Sequence, residues 1–394
     1  MTSAPGAYIR SLRGHTVFVP DALPPQLRLS SAIEREIEET THLLGQVEMC
    51  RTLLPNADLL IYSSLQREAI ASSTIEGTIA SPDELVLYQA SQQTGREAVR
   101  EVANYASALT WGYEQLAARP IGYTLITGLH ERLLEGVRGA SGAGRLKEEQ
   151  NYIGSRPIDP IEHALFVPPP PEATIELLTT LERYINNPDN REPRIVQCAL
   201  AHYQFETIHP FSDGNGRVGR LLIILQLVHL GLLSAPLVYP SVYFERNRRT
   251  YYENLQAVRE HAAWNDWIEF FALGIKEQCR ETIELTKTIL RLREHMRREI
   301  GNVRRRAALS AVLDVFFEEP VLATGEISRR AKIAWHSAQA ALDILQEQGI
   351  VTELTGKQRG RVYACRPVLR AIFGSELHFG RRTPDETTQD NEKG

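Results

Sequence analysis

At 394 residues the chain has room for roughly two or three domains and a sizeable core. Its hydrophobic fraction of 43%, charged fraction of 24% and net charge of −5 exclude a nucleic-acid polycation, so any DNA contact must come from a local patch. The four cysteines, Cys50, Cys198, Cys279 and Cys365, are scattered without a C-x-x-C pair, which argues against a disulfide framework or zinc site and for a reducing compartment.

The N-terminal MTSAPGAYIRSLRG has no apolar signal core. Residues 30 to 52 carry apolar side chains at helical spacing, and DLLIYSSLQREAIAS (58–72) predicts a second helix ending near SSTIEGT. Pro82 and Asp83 open a third, PDELVLYQASQQ, with proline at a favoured first-turn position. Helical periodicity continues through 97–117 and 121–135. GVRGASGAGR (136–145) is a plain glycine-rich loop: no Lys-Ser/Thr follows, and G-x-G-x-x-G is absent. In QNYIGSRPIDPIEHALFV (150–167), QNYI and ALFV flank a Pro- and Asp-containing turn and predict a β-hairpin, stopped by PPPPE. Helices resume at 173–187, 192–207, 215–233, 247–260 and 264–300. The apolar run LLIILQLVHLGLL (221–233) is too short to span a membrane and holds Gln226 and His229, so it reads as a buried helix of a cytoplasmic protein.

Past residue 300 the pattern changes. RRRAALSAVLDVFFEE, GEISRRAKI and WHSAQAALDILQEQGIV predict three helices, and TELTGKQRGRVYAC predicts two short strands around a Gly- and Arg-containing turn. That is the order of a winged helix-turn-helix. The closing RRTPDETTQDNEKG is polar and reads as disordered.

HPFSDGNGRVGR (209–220) carries the chemistry. A helix ends before His209, Pro210 blocks its continuation, and the next helix begins around Gly214 to Gly216. Free N–H groups and the helix dipole at such a start favour a bound anion. Gly214 and Gly216 allow close backbone approach, and Asn215 can donate a side-chain N–H. Arg217 and Arg220, three apart, can point at one polyphosphate. Asp213 is a hard oxygen ligand suited to Mg²⁺, and His209 suits a general base acting on a hydroxyl that attacks phosphorus. Together they describe a site for a nucleotide triphosphate, a metal and a nucleophile that must lose a proton. The plainer reading is a turn with a capping histidine and two solvated arginines.

The motif resembles that of Fic-domain proteins, HPFx(D/E)GNGRxxR, at every fixed position. QNYIG with FVPPPPE resembles the family's flap hairpin and its edge, and PSVYFERNRRTYYENLQAVRE and WNDWIEFF (within 239–271) resemble downstream family segments. The likeness covers about residues 15 to 365. It implies a mainly α fold: an N-terminal helical domain (1–110), a Fic helical core with a small β-hairpin flap (111–300), a winged helix-turn-helix (301–370) and a tail (371–394). It also implies transfer of AMP from ATP to a Ser, Thr or Tyr hydroxyl of a target protein, with Mg²⁺ as cofactor and pyrophosphate released. His209 would be the base and Asp213 the Mg²⁺ ligand. Gly214, Asn215 and Gly216 would form the anion hole, and Arg217 and Arg220 would hold the β- and γ-phosphates.

Ser72-x-x-x-Glu76-Gly77 resembles the family's inhibitory (S/T)xxxE(G/N) motif, whose glutamate pairs with the motif's second arginine, here Arg220. On residue type alone Glu76 is an acid at a helix end before a turn glycine. Tyr251, Tyr252 and Asn254 are candidates to border the adenine, against a core reading for aromatics at helical spacing. His202 reads as structural, and His130-Glu131 does not extend to H-E-x-x-H. The implied partners are a target segment pairing with the flap 150–167, DNA through 301–365 and a second copy of the chain, with no membrane. Residues 301–365 hold nine basic residues, among them 304–306, Arg329, Arg330, Lys332, Lys357, Arg359 and Arg361, against seven acidic ones; Trp335 and His336 open the expected recognition helix. That balance suits DNA or protein contact alike. Rival readings are a DNA-binding regulator whose Fic-like domain senses nucleotide, and a Fic-fold enzyme that transfers another phosphate-containing group or removes AMP.

Overall fold

A computed structural model describes residues 5–54, 57–91, 96–154, 160–300, 306–374 and 377. The described residues group into two compact units: 5–80 with 96–287, and 81–91 with 288–374. This partition differs from the expected one. The expected boundary between 110 and 111 falls inside the first unit, and the short stretch after residue 80 groups with the C-terminal unit.

The first unit opens with a hairpin that the sequence reading did not assign: β1 (Gly6–Arg10) and β2 (Thr16–Pro20), antiparallel with Gly6 opposite Pro20. Then come α1 (Ser31–Leu53) and α2 (Asp58–Ile75). Ser30 caps α1 by accepting from the Ile33 N–H, and Ile33, Ile37, Leu44, Val47 and Cys50 form its buried stripe. After α3 (Pro82–Ser91), which belongs to the second unit, follow α4 (Glu97–Gln115), α5 (Tyr123–Leu133) and α6 (Pro171–Ile185). Pro171 sits in the first turn of α6, so this helix begins two residues earlier than expected.

Next come α7 (Arg194–Ile208) and α8 (Asn215–His229). Residues 195–208 are all buried, as are 217–227. Helices buried on every side belong at the centre, and α7 and α8 pack on each other there, flanked by α2, α4, α5 and α6. The six-residue turn between them is the loop of HPFSDGNGRVGR. The helix expected at 247–260 is preceded by a separate short one: α9 (Ser241–Arg246), then α10 (Arg248–His261). α11 (Trp264–Glu299) follows. No helix among the described residues is long and apolar enough to cross a membrane, and the four cysteines are buried and free.

In the second unit α12 (Arg306–Phe316), β3 (Val321–Ala323), α13 (Thr324–Arg330), α14 (Trp335–Glu347), β4 (Val351–Glu353) and β5 (Val362–Cys365) form three helices against an antiparallel sheet of order β3-β5-β4. This matches the element order expected of a winged helix-turn-helix, with β3 an added strand. α3 packs on β3 and buries Leu85 and Val86. α15 (Arg366–Phe373) carries the ordered chain past the expected boundary at 370, burying Val368, Leu369, Ile372 and Phe373. Most of the polar tail, 375–376 and 378–394, lies outside the described residues.

Candidate active site

His209 caps α7 in the left-handed region, φ 49° and ψ 61°, a conformation a non-glycine residue keeps only when its surroundings enforce it. Its half-buried ring has Nδ1 3.3 Å from the Glu206 carbonyl oxygen. A carbonyl only accepts, so Nδ1 carries the proton and Nε2 keeps its lone pair, with no partner among the described residues. Burial, and then the nearby Lys147 ammonium, push the imidazole pKa down to about 3. At neutral pH the ring is therefore a proton acceptor.

The loop closes on itself. The Asn215 side chain accepts from the Phe211 N–H (2.8 Å) and donates to the Phe211 carbonyl (2.7 Å). The expected donation of this side chain to an anion thus gives way to an internal duty, because a buried turn must pair its own backbone groups. Gly214 has φ 79°, a left-handed conformation that favours glycine, and it lies against His130 and Leu133. His130 is a residue whose role the sequence reading did not find. Its ring stacks on Phe211 at 3.8 Å, accepts from the Gly144 N–H at Nδ1, and donates from Nε2 to the Asp213 carbonyl at 3.0 Å. Burial lowers its pKa to about 4, so it is a neutral strut joining the glycine-rich loop to Asp213.

Asp213 points partly to solvent, its side chain 43% exposed. Oδ1 accepts from the Gly214 N–H, Arg138 Nε lies 3.8 Å from Oδ2, and Arg217 Nη2 lies 3.9 Å from Oδ1. No group of three His, Cys, Asp or Glu side chains able to hold a metal occurs among the described residues. One accessible carboxylate fits Mg²⁺ only if phosphate oxygens and waters complete its shell, which is the ordinary pattern for that ion.

The two arginines are buried rather than solvated, and each already has an acid. Arg217 Nη1 donates to Glu101 Oε2 at 2.9 Å, and Thr78 donates to the same oxygen. Arg220 Nη2 donates to Glu76 Oε1 at 2.7 Å and to the Ser72 carbonyl at 2.8 Å, while Nε donates to Ser72 Oγ at 2.8 Å. The end of α2 fixes Glu76. Thr78 N–H donates to Ser73 O and Gly77 N–H to Thr74 O, with Gly77 at φ 87°, a Schellman cap with Glu76 at its C-cap position. A carboxylate at a helix C-terminus meets the unfavourable end of the dipole, so Arg220 supplies the compensation. A Cβ added to Gly216 would lie 2.2 Å from Glu76 Oε1. The carboxylate therefore sits against the first turn of α8, whose N–H groups have no intrahelical partner and favour an anion.

Tyr251 is core: its hydroxyl donates to His202 Nε2 at 2.8 Å, and its ring stacks on Phe244. The adenine role considered for it is corrected accordingly. His202 Nδ1 donates to the Gly219 carbonyl, making that residue a neutral structural link. Tyr252 is 43% exposed, with Arg248 above its ring at 5.7 Å, and Asn254 is half-buried on the same helix. The flap is reduced to one bridge, Ile153 with Phe166, and a 3₁₀ turn at Ile161–His163; residues 155–159 lie outside the described set. β2 continues this edge, since Phe18 N–H donates to the Val167 carbonyl. In the second unit Lys357, Arg359 and Arg361 are exposed between β4 and β5, Trp335 is 51% exposed, and Arg329 and Arg330 pair with Glu326; residues 304 and 305 lie outside the described set.

Comparison with known proteins follows the same lines. Residues 120–227 match the model of the Fic/DOC family, and residues 30–114 match that of the Fic/DOC family N-terminal region. A probable protein adenylyltransferase of Aquifex aeolicus is 30% identical over 203 residues, 50% of this chain and 56% of that protein. Protein adenylyltransferase Fic of Drosophila melanogaster is 30% identical over 145 residues, 36% of this chain and 26% of that protein. The chain thus spans about half the length of the first and a quarter of the second. Among solved structures, a Fic family protein from Desulfovibrio desulfuricans G20 aligns over 87% of this chain and 98% of its own, with TM-score 0.56 and 18% identity. Fic-1 from C. elegans aligns over 66% of this chain and 74% of its own, with TM-score 0.51 and 21% identity. Those two likenesses concern the fold. With both family models matched in order, and the loop of the motif set between two buried helices, the chain carries the domain of the Fic/DOC family preceded by that family's N-terminal region.

Proposed function

We propose that the protein transfers AMP from ATP to a hydroxyl side chain of a target protein and that Glu76 restrains this activity in the resting state. The observation that carries the reading is the base: a neutral His209 with Nε2 unbonded, one short loop from an anion-receptive helix start. The relatives named protein adenylyltransferase support the same chemistry. His209 Nε2 takes the proton of the Ser, Thr or Tyr hydroxyl. The oxygen forms a bond to the α-phosphorus, the bridging bond to the β-phosphate breaks, and pyrophosphate leaves. Asp213, together with phosphate oxygens, would hold Mg²⁺, and the ion would supply positive charge that offsets that of the phosphates.

Glu76 acts against this by competition for charge. Arg220 engaged by Glu76 and Ser72 cannot also hold the γ-phosphate, and the carboxylate occupies the rim of the α8 start. ATP would then bind with its α-phosphorus out of line. The flap edge is the docking place for an extended target segment, and Tyr252 and Asn254 border the adenine. The test is incubation with ATP labelled at the α- or γ-phosphate, Mg²⁺ and lysate. Protein-bound α-label is expected, and γ-label alone would replace AMP transfer with a kinase-like reaction. Sequence-selective, salt-dependent DNA retention without nucleotide turnover would favour a DNA-binding regulator.

A further inference from the structure

Lys147, just before the flap, and Asn151, its second residue, stand outside the motif, yet both are spent on the motif's loop. Lys147 is 3% exposed. Its Nζ donates to the Ile208 carbonyl at 3.2 Å and to Asn151 Oδ1 at 2.9 Å, and its backbone N–H donates to the Pro210 carbonyl at 2.9 Å. Asn151 Nδ2 donates to the His209 carbonyl at 3.0 Å and the Phe211 carbonyl at 2.8 Å. Four consecutive carbonyls, 208 to 211, therefore accept from two side chains and one backbone N–H. The amide's orientation is forced, with its nitrogen between two carbonyls and its oxygen against an ammonium.

A buried ammonium without a carboxylate is costly, and Lys147 makes no ion pair among the described residues. Burial brings its pKa down to about 7. A merely structural duty could be met by any neutral donor. When protonated, Lys147 does something more: it sits beside the last carbonyl of α7, where positive charge is favourable, and it opposes a second positive charge on the adjacent imidazole.

We propose that Lys147 and Asn151 are positioning residues for the base. They clamp carbonyls 208–211, hold His209 in its left-handed backbone and so fix the ring with Nδ1 on Glu206 and Nε2 free. The inference rests on His209 being the base of the proposed transfer. It separates two quantities: the clamp sets the rate of the chemical step, while the arginines and the α8 start set nucleotide affinity.

The experiment uses full-length Lys147→Met, Asn151→Asp and, as conservative rescue, Lys147→Arg. Asn151→Asp keeps shape but turns oxygen toward the carbonyls of 209 and 211. In the first two, kcat is expected to fall roughly tenfold or more, since small displacements of a reacting group have effects of this order. The dissociation constant for ATP should stay within about threefold of wild type, and Lys147→Arg should recover part of the rate. Equal loss of ATP affinity and rate in both variants, or unchanged kcat, would overturn the proposal. An independent readout is the nitrogen NMR spectrum of His209, assigned by its disappearance in His209→Ala. One protonated-Nδ1 tautomer is expected in the wild type and a mixture in Asn151→Asp. If no form of the protein transfers AMP, the proposed function fails, and the tautomer alone decides the clamp: an unchanged signal in both variants sinks it.

Discussion

The two ends of HPFSDGNGRVGR are held by opposite means. At the loop end, His209 to Phe211 are fastened through backbone carbonyls by Lys147 and Asn151, and the reactive ring is neutral with one nitrogen free. At the helix end, Arg217 and Arg220 are fastened through their charges, by Glu101 and Glu76. Hydrogen bonds to carbonyls leave the base ready to work. Ion pairs leave the cations occupied. On the proposed function, such a protein keeps a finished base and is still idle, because only the helix end must change for nucleotide to be gripped.

The sharpest break is at the base. His209→Ala should lower transfer by ~10²–10⁴-fold while ATP still binds, since the phosphate end is untouched. Titration with ATP and initial rates check both halves, and near-normal turnover removes His209 from the mechanism. At the other end, Glu76→Gly should raise auto-modification at least about tenfold, equivalent to roughly 1.4 kcal/mol of relieved restraint. It should not raise thermal stability, because it leaves the fully buried Arg220 without its acid. Adding His209→Ala to it should abolish activity again. Asp213→Ala should raise the Mg²⁺ needed for half-maximal rate roughly tenfold, as losing a direct ligand costs at least what outer partners do. Saturation at unchanged Mg²⁺ would place the metal elsewhere.

The two acids also differ, and this sharpens the comparison. The Glu76 side chain is 32% exposed and lies at a helix end, where small motions can withdraw it. The Glu101 side chain is 8% exposed, in the body of α4, and shares its oxygen with Thr78. Glu101→Gln should therefore cost ~1–3 kcal/mol of stability without activating the enzyme. Activation equal to that of Glu76→Gly would make both acids restraints.

The sequence reads well where a role is local. The loop-to-helix turn, the two arginines three apart and the cap at SSTIEGT follow from residue type and spacing, and the structure places each as a short-range feature. What was illegible depends on long-range partners. That Arg217 meets Glu101 rather than solvent is settled by a residue 116 positions away, and Glu101 lies on a helix whose apolar pattern gives no hint of a buried acid. Asn215 looked like an anion donor because residue type shows what a side chain can do, not which backbone group claims it first. The strands β1, β2 and β3 are only three to five residues long, too short for periodicity to declare them, whereas the equally short β4 and β5 were legible from their place after three helices around a Gly- and Arg-containing turn.

The smallest expected effect concerns the stretch that follows Glu76. Only Gly77 to Ala80 separate it from the second unit, where α3 buries Leu85 and Val86 and packs on β3. Deleting residues 301–394 removes β3, so α3 loses a partner for side chains worth ~1.5–3 kcal/mol each when fully covered. α3 should then fray, and the chain just beyond the Schellman cap of α2 should lose its anchor. The first unit keeps its own core, α7 and α8 with their flanking helices, and should stay folded. The rate should rise roughly two- to fivefold, less than for Glu76→Gly, because the Glu76–Arg220 pair is loosened rather than removed. Hydrogen exchange at 82–91 should speed up in the truncated protein, and the rate gain should vanish when Glu76→Gly is already present. A truncated protein whose 82–91 amides stay protected, or whose gain simply multiplies that of Glu76→Gly, would show that this segment does not act through Glu76.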